Sequence, residues 1–513
     1  MPYKRICISF LVLIVASSKS QVVPNSLFCN NMVLQRNVAV PVWGTSSSNE
    51  KITVDFGGQS LTTTAFNGKW MVKLKPMKES SRSQTMSIKG ANNSITVSNI
   101  LIGEVWLCSG QSNMERQLGL RGGQKPLLNW EQEAAMANYP LIREFALPHN
   151  NNVTIPVTSV NAKWIVCDTQ TVKQFSAVGY FFGKGLYEKL QVPIGLIHSS
   201  WGGTPAEKWT RRQVMENNPE LKKIVEDYDK AINDFAAKLQ VFKANELTLM
   251  QQWAADTMLA KQTGKPLPRK PITPVDPQKS GDCGALYTNM IEPLIPYAIK
   301  GVIWYQGESN CGNPKQYKVL FPTMVKDWRS QWHQGNFPFL FVQIAPFRSN
   351  TPELREAQLF TAQTVPNTAI VVTIDCGDST DIHPANKKTV GERLAIAARA
   401  LAYGESELEY SGPQYQNMIT NNDKIELSFT HIGTGLKAKD GDLFGFTISQ
   451  DGKTFVPAIA SIVNNKVIVS ANGILIPIAV QYAFKNNAQG NLYNQENLPA
   501  SPFRTVSNSI ISK

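Results

Sequence analysis

The chain has 513 residues, 42% hydrophobic and 18% charged, and a formal net charge of +12. That length and balance allow a large buried core in two or three domains and exclude an intrinsically disordered chain. The positive charge forms no dense Lys/Arg block interleaved with aromatics, which excludes nucleic acid as a partner; it bears on solubility and on attraction to acidic glycans or anionic surfaces.

Residues 1–20 read as a secretory signal peptide. Lys4 and Arg5 precede the apolar run Ile6 to Ala16, and Ser18 and Ser20 frame a cleavage point before Gln21. The run is too short to span a bilayer. The expectation is a soluble exported protein, periplasmic or secreted, with a charge of +9 once Lys4, Arg5 and Lys19 are gone. Cys7 leaves with the signal. Cys29, Cys108, Cys167, Cys283, Cys311 and Cys376 remain, an even number that permits disulfides without specifying them. No close Cys-x-x-Cys or His pair suggests a metal site, and no cofactor is expected.

From Gln21 to about Asn99 the pattern has period two. Ile52, Val54 and Phe56 alternate with polar residues, Asn67-Gly68 marks a tight hairpin, and Trp70, Val72 and Leu74 alternate again. This predicts an N-terminal β domain over 21–99. From 100 to 403 strand-length apolar runs alternate with helical patterns: Val105–Cys108, Ile194–Ile197, Val302–Tyr305, Phe339–Ile344 and Ala369–Ile374, with a helix marked by Val390, Leu394, Ala397, Ala398 and Leu401. Such alternation predicts an α/β fold with a doubly wound parallel sheet. A helical insertion at about 206–282 interrupts it, read as a helical hairpin followed by a proline-rich loop. After 404 the two-residue period returns at Ile425, Leu427 and Phe429, giving a C-terminal β region.

Ligands of such sheets bind beyond the carboxyl ends of the strands, which directs attention to four clusters. Gly110-Gln111-Ser112-Asn113-Met114 follows the first run and places a serine hydroxyl at a strand-to-helix turn, where backbone N–H groups can meet an oxyanion. A helix-capping serine would look the same in isolation. The others are Trp201-Gly202-Gly203, Gln306-Gly307-Glu308-Ser309-Asn310, and the stretch Asp375 to Pro384. A nucleophilic serine needs a histidine base. Of five histidines, His149 stands among asparagines in a connecting segment, His198 ends an apolar strand, His333 follows an amphipathic helix and His431 lies in the C-terminal β region. His383, in a loop with three aspartates close by, is the best base.

These four clusters resemble the conserved blocks of the SGNH hydrolases, and more narrowly the sialate O-acetylesterase family. Met32-Val33-Leu34-Gln35-Arg36, Pro41-Val42-Trp43-Gly44, Gly490-Asn491-Leu492-Tyr493 and Leu498 to Arg504 extend the resemblance over nearly the whole mature chain. The resemblance implies a flavodoxin-like SGNH core flanked by β domains, with Ser112 as nucleophile and His383 as base. It implies an oxyanion hole from the N–H groups of Ser112 and Gly203 and a side-chain amide. That amide is assigned to Gln306, with Asn310 as fallback and Glu308 positioning the loop. The family's Asp-x-x-His spacing would fall on Thr380. Asp381 is therefore the preferred orienting acid, and Asp378 serves if the loop folds differently. Trp201, Glu308 and Asn310 are candidate substrate contacts.

The implied activity is release of acetate from O-acetylated sialic acids through an acetyl-enzyme. Enzymes that deacetylate xylan and other plant glycans share these blocks. A sialate would need an arginine for its carboxylate, with Arg116, Arg211, Arg212, Arg348 and Arg355 available. Xylan would favour aromatic platforms, for which Trp201, Trp209 and Trp253 are available. A non-catalytic glycan-binding protein and a serine peptidase are the weaker readings.

Overall fold

The computed structural model describes residues 21–151 and 160–505, so the predicted signal segment and Cys7 lie outside the described residues. The centre is a parallel sheet of β1 (Ser94–Gly110), β2 (Tyr139–Ala146), β3 (Ile194–Ser200), β4 (Gly301–Tyr305), β5 (Phe339–Val342) and β6 (Thr368–Val371). Their spatial order is β2-β3-β1-β4-β5-β6, and Trp164–Cys167 adds an antiparallel edge to β2. Without the outer β2 this is the flavodoxin-like order, in which the chain reverses direction beside β1. All five apolar runs read from the sequence are strands of this sheet.

Alternation along the strands gives the sheet two apolar faces. Val105, Leu107, Ile197, Val302, Trp304, Phe339, Phe341 and Ile370 join one buried cluster with residues of α4 (Pro314–Trp332) and α5 (Pro352–Thr364). Trp106, Cys108, Leu196, Ile303, Tyr305, Leu340, Val342 and Val371 join the other, against α2 (Ala177–Leu190) and α6 (Lys388–Ala402). Covering both faces is what allows strands without polar alternation.

β1 has 17 residues, much longer than its apolar run. Its first half pairs antiparallel with Ser80–Lys89 and parallel with Val33–Gln35, and its second half is the middle of the parallel sheet. The N-terminal strands and the catalytic sheet therefore share one strand and one buried cluster. The predicted turn at Asn67-Gly68 forms with both residues at positive φ. The predicted hairpin does not extend beyond it: the flanking strands separate, Gln59–Thr64 pairing with Lys51–Phe56 and Lys69–Leu74 with Val40–Thr45.

The insertion is not a hairpin. It is one helix, α3 (Lys222–Thr263), because no Gly or Pro interrupts its 42 residues until Gly264 stops it in the left-handed conformation. Strands at Gln414–Asn421, Lys424–Thr430, Lys466–Ser470 and Ile459–Val463 form a C-terminal antiparallel sheet. It packs with Phe446–Ser449, Ala479–Tyr482 and neighbouring strands around a separate apolar cluster. The six described cysteines are free thiols. No helix among the described residues is long and apolar enough to cross a membrane.

Candidate active site

The site begins with strand register. Gly110 at the end of β1 pairs with Ser200 of β3 on one side and Tyr305 of β4 on the other. The three following segments thus leave the sheet at one level and meet above it. Gly110 has φ +135°, and a Cβ there would lie 2.2 Å from the Tyr305 carbonyl oxygen, so only glycine fits this packed strand end. The next residues form the single helical turn α1 (Ser112–Glu115).

A cavity of about 510 Å³ opens here, lined by Ser112, Gly202, Gly203, Trp201, Glu308, Ser309 and His383, together with Gln111, Glu115, Arg121 and His149. A larger groove of about 630 Å³ lies between α4, α5 and the C-terminal strands and holds none of the predicted site residues. Ser112 is half-buried and His383 stands in the same cavity; the two side chains are not hydrogen-bonded to each other.

Asp381 Oδ1 accepts the His383 backbone N–H at 2.8 Å and lies 3.8 Å from ring Nδ1. Asp378 is turned outward. It takes Lys125 Nζ at 2.6 Å and both the N–H and hydroxyl of Thr380, which together hold its carboxyl far below the usual range. Of the two acids, only Asp381 faces the histidine. Burial lowers the His383 pKa, Lys387, Arg121 and Arg116 lower it further, and Asp381 works in the opposite sense.

Two residues that line the cavity keep unbonded backbone N–H groups. Gly203 sits at φ +74°, and neither its N–H nor that of Ser112 bonds a described residue. A Cβ added at Gly202 would lie 2.9 Å from Glu115 Oε2 and 3.1 Å from Ser112 Cβ, so a larger residue there would displace the Glu115 carboxylate. The Gly202 N–H is held by Glu115 Oε2 at 2.5 Å, which ties the glycine turn to the turn that bears Ser112.

The expected third donor is corrected. Gln306 continues the β4 alternation on the Trp304 face, is fully buried, and does not line the cavity. Its Nε2 donates to Asn310 Oδ1 at 2.6 Å and to the Thr204 carbonyl at 3.3 Å, while its Oε1 accepts Tyr317 Oη–H. It supports the Gly203 loop from below. The fallback and substrate role for Asn310 is corrected for the same reason. Asn310 is buried, accepting the Ala206 N–H and donating to Glu207. Two side-chain amides line the cavity, those of Gln111 and Gln124, and Gln111 is the one next to Ser112. Its Oε1 accepts the Ser309 N–H at 3.4 Å, leaving Nε2 bonded to no described residue.

Beneath the serine lies a polar knot that the sequence did not reveal. Asn113 Nδ2 donates to Glu308 Oε1 at 2.6 Å and to the Ile382 carbonyl at 3.0 Å, and its Oδ1 accepts Nζ of the buried Lys387. One amide thus joins the serine turn, the β4 loop and the loop bearing His383. Burial raises the Glu308 pKa and lowers that of Lys387 to about 7. Of the predicted aromatics only Trp201 lines the cavity. Trp209 is in the core, and Trp253 is on α3 beneath Lys270. No cluster of His, Cys, Asp and Glu among the described residues could hold a metal ion.

A half-buried serine beside a histidine with an acidic neighbour and free backbone donors suits acyl transfer. Comparison with known proteins gives the same class. Residues 102–263 and 274–400 match the family of carbohydrate esterases described as sialic acid-specific acetylesterases. The chain is 30% identical to the sialate O-acetylesterase of Homo sapiens, over 92% of this chain and 90% of the relative, and 29% identical to that of Rattus norvegicus, over 92% of each. The crystal structure of a carbohydrate acetylesterase from Xanthomonas citri superposes with a TM-score of 0.78 at 32% identity, covering 95% of this chain and 100% of the other. The chain is an ester hydrolase and belongs to the sialic acid-specific acetylesterase family of carbohydrate esterases.

Proposed function

We propose that this enzyme removes O-acetyl groups from sialic acids through an acetyl-enzyme on Ser112. One observation carries the reading: Ser112, His383 and the unbonded Gly203 N–H open on one cavity. Ser112 Oγ attacks the acetyl carbonyl as His383 takes its proton. The N–H groups of Ser112 and Gly203 and the Gln111 amide meet the charge on the carbonyl oxygen. His383 then returns the proton to the sugar oxygen as the acyl C–O bond breaks. Water, deprotonated by His383, attacks the acetyl-enzyme, releasing acetate and restoring the serine. Asp381 orients the imidazole and offsets its charge.

The β region from 404 onward, with its own apolar cluster, is assigned as a separate domain, whereas the 21–99 β region shares β1 and a buried cluster with the SGNH core over 100–403 and is assigned to one unit with it; 1–20 directs export to a periplasm or the cell exterior. The test is acetate release from O-acetylated sialic acids, acetylated xylo-oligosaccharides and acetylated pectin fragments, by wild type and Ser112→Ala. Sialic acids should be the best substrates, with release abolished in the variant. Turnover of xylo-oligosaccharides alone would transfer the assignment to plant glycans, and an active Ser112→Ala would remove the nucleophile.

A further inference from the structure

Four of the five arginines available to a substrate carboxylate are spent elsewhere. Arg116 is buried and donates to the carbonyls of Gln117, Gly119 and Lys125. Arg211 is held by Asp327, Arg212 by Asp229, Asp282 and Glu216, and Arg355 by the carbonyls of Ile344, Ala345, Lys485 and Asn486. Arg348 lies over Phe347, away from the cavity.

The arginine that does line the cavity is Arg121. Its side chain is 31% exposed, and Nη2 donates to Glu115 Oε1 at 2.8 Å, while Nε and Nη1 bond no described residue. Glu115 is shared by two donors, Arg121 and the Gly202 N–H, with His149 Nε2 3.6 Å away. It therefore orients the guanidinium without using its whole donor fork. Because the same carboxylate anchors the glycine turn over Ser112, the fork is held at a fixed place relative to the reacting serine. Nη2 gives Glu115 one of its two hydrogens, so the second, with the neighbouring Nη1–H or Nε–H, still offers a carboxylate two parallel donors, a geometry with no special use for a neutral hydroxyl. The aromatic alternative is weaker, since His149 already covers one face of Trp201 with ring centroids 4.3 Å apart and planes 8° apart.

We propose that Arg121 receives the carboxylate of an acidic O-acetylated sugar and so sets the preference of the site for acidic over neutral substrates. This rests on the sialate reading above and adds the group that enforces it.

The test compares kcat/KM for an O-acetylated sialic acid and for the same sugar with its carboxylate converted to the carboxamide, in wild type, Arg121→Gln and Arg121→Lys. The acid-to-amide ratio is internal to each enzyme, so a general loss of activity does not imitate the effect. Wild type should prefer the acid by about tenfold or more, the scale of a charge-assisted hydrogen bond at a half-open site. Arg121→Gln should bring the ratio close to one, chiefly by raising KM for the acid, and Arg121→Lys should restore part of it. Equal turnover of acid and amide by wild type, or an unchanged ratio in Arg121→Gln, would overturn the role of Arg121 while leaving sialate hydrolysis standing. Acetate released from neutral xylo-oligosaccharides and from no sialic acid would overturn both.

Discussion

Lys387 allows a prediction about stability and its dependence on pH. Its ammonium is buried, it bonds Asn113 Oδ1, and it lies 5.4 Å from the centre of the Tyr305 ring. Burial lowers its pKa from 10.5 to about 7. Keeping the charged form in the folded state therefore costs on the order of 4–5 kcal/mol below neutrality, at about 1.4 kcal/mol per pH unit. Lys387→Met removes that cost but leaves Asn113 Oδ1 without its donor, a penalty of about 1–3 kcal/mol. The variant should be more stable than wild type at pH 6–7 by roughly 2 kcal/mol, the difference between these two magnitudes. The pH dependence gives a sharper check. Between pH 7 and 10.5 the unfolded chain holds a proton on this lysine that the folded chain has lost. Wild type should therefore gain stability as pH rises through this window, by about 2 kcal/mol from pH 7 to 9, while the variant gains nothing from this position. Denaturant unfolding of both proteins at pH 7 and pH 9, with acetate release measured alongside, provides the assay. Parallel pH dependences in the two proteins would refute the reasoning, as would a variant less stable than wild type at pH 6.

Asp381→Asn should lower kcat strongly, on the order of 10⁴-fold if the carboxylate acts as in other serine triads, whereas Asp378→Asn should chiefly free Lys125; steady-state kinetics of the pair decide, and the reverse ranking would exchange the roles. Gln111→Ala should cost about 10²–10³ in kcat with little change in KM, as for an oxyanion donor, while Gln306→Ala should lower thermal stability through the Thr204 loop. A selective kcat loss in Gln306→Ala with stability intact would return the donor role to Gln306. The acidic limb of the kcat/KM profile should have its midpoint below 6.5, because a His383 with lowered pKa keeps its basic form to lower pH. Lys387→Met removes one cause of that lowering and should move the midpoint upward, which pH profiles of both enzymes would reveal.

The sheet was legible because its strands are buried on both faces and so read as unbroken apolar runs. β2 was not legible. Pro140, Arg143 and Glu144 interrupt it, and the last two are buried polar residues whose hydrogen bonds replace water, Arg143 donating to the Asn31 carbonyl and Glu144 accepting the Ser176 N–H. Missing that strand hid His149, which follows its carboxyl end as the other site segments follow theirs. Glu115 could have been found from spacing, since it stands three residues after Ser112 on one helical turn and shares its side. Gln306 and Asn310 were misplaced because a motif gives position along the chain but not the face to which a side chain turns. The tie between Asn113 and Lys387 joins residues 274 positions apart, and no local pattern announces it.

The strand that ends at the serine begins far from it. Because the first half of β1 is zipped to Ser80–Lys89 and Val33–Gln35, the height at which Gly110 emerges is set by pairings some ten residues upstream. An expression clone trimmed to start near residue 100 would cut this strand in the middle. It would expose the ladder edge that Val33–Gln35 covers and leave Val105 and Leu107 without their N-terminal neighbours, so the amino-terminal segment is not a removable accessory. During synthesis the same arrangement delays assembly. The early strands emerge first, but the lane on the other flank of β1 stays empty until Gly301–Tyr305 has been made, and a chain stalled before that point would present β1 as an unpaired edge to its neighbours.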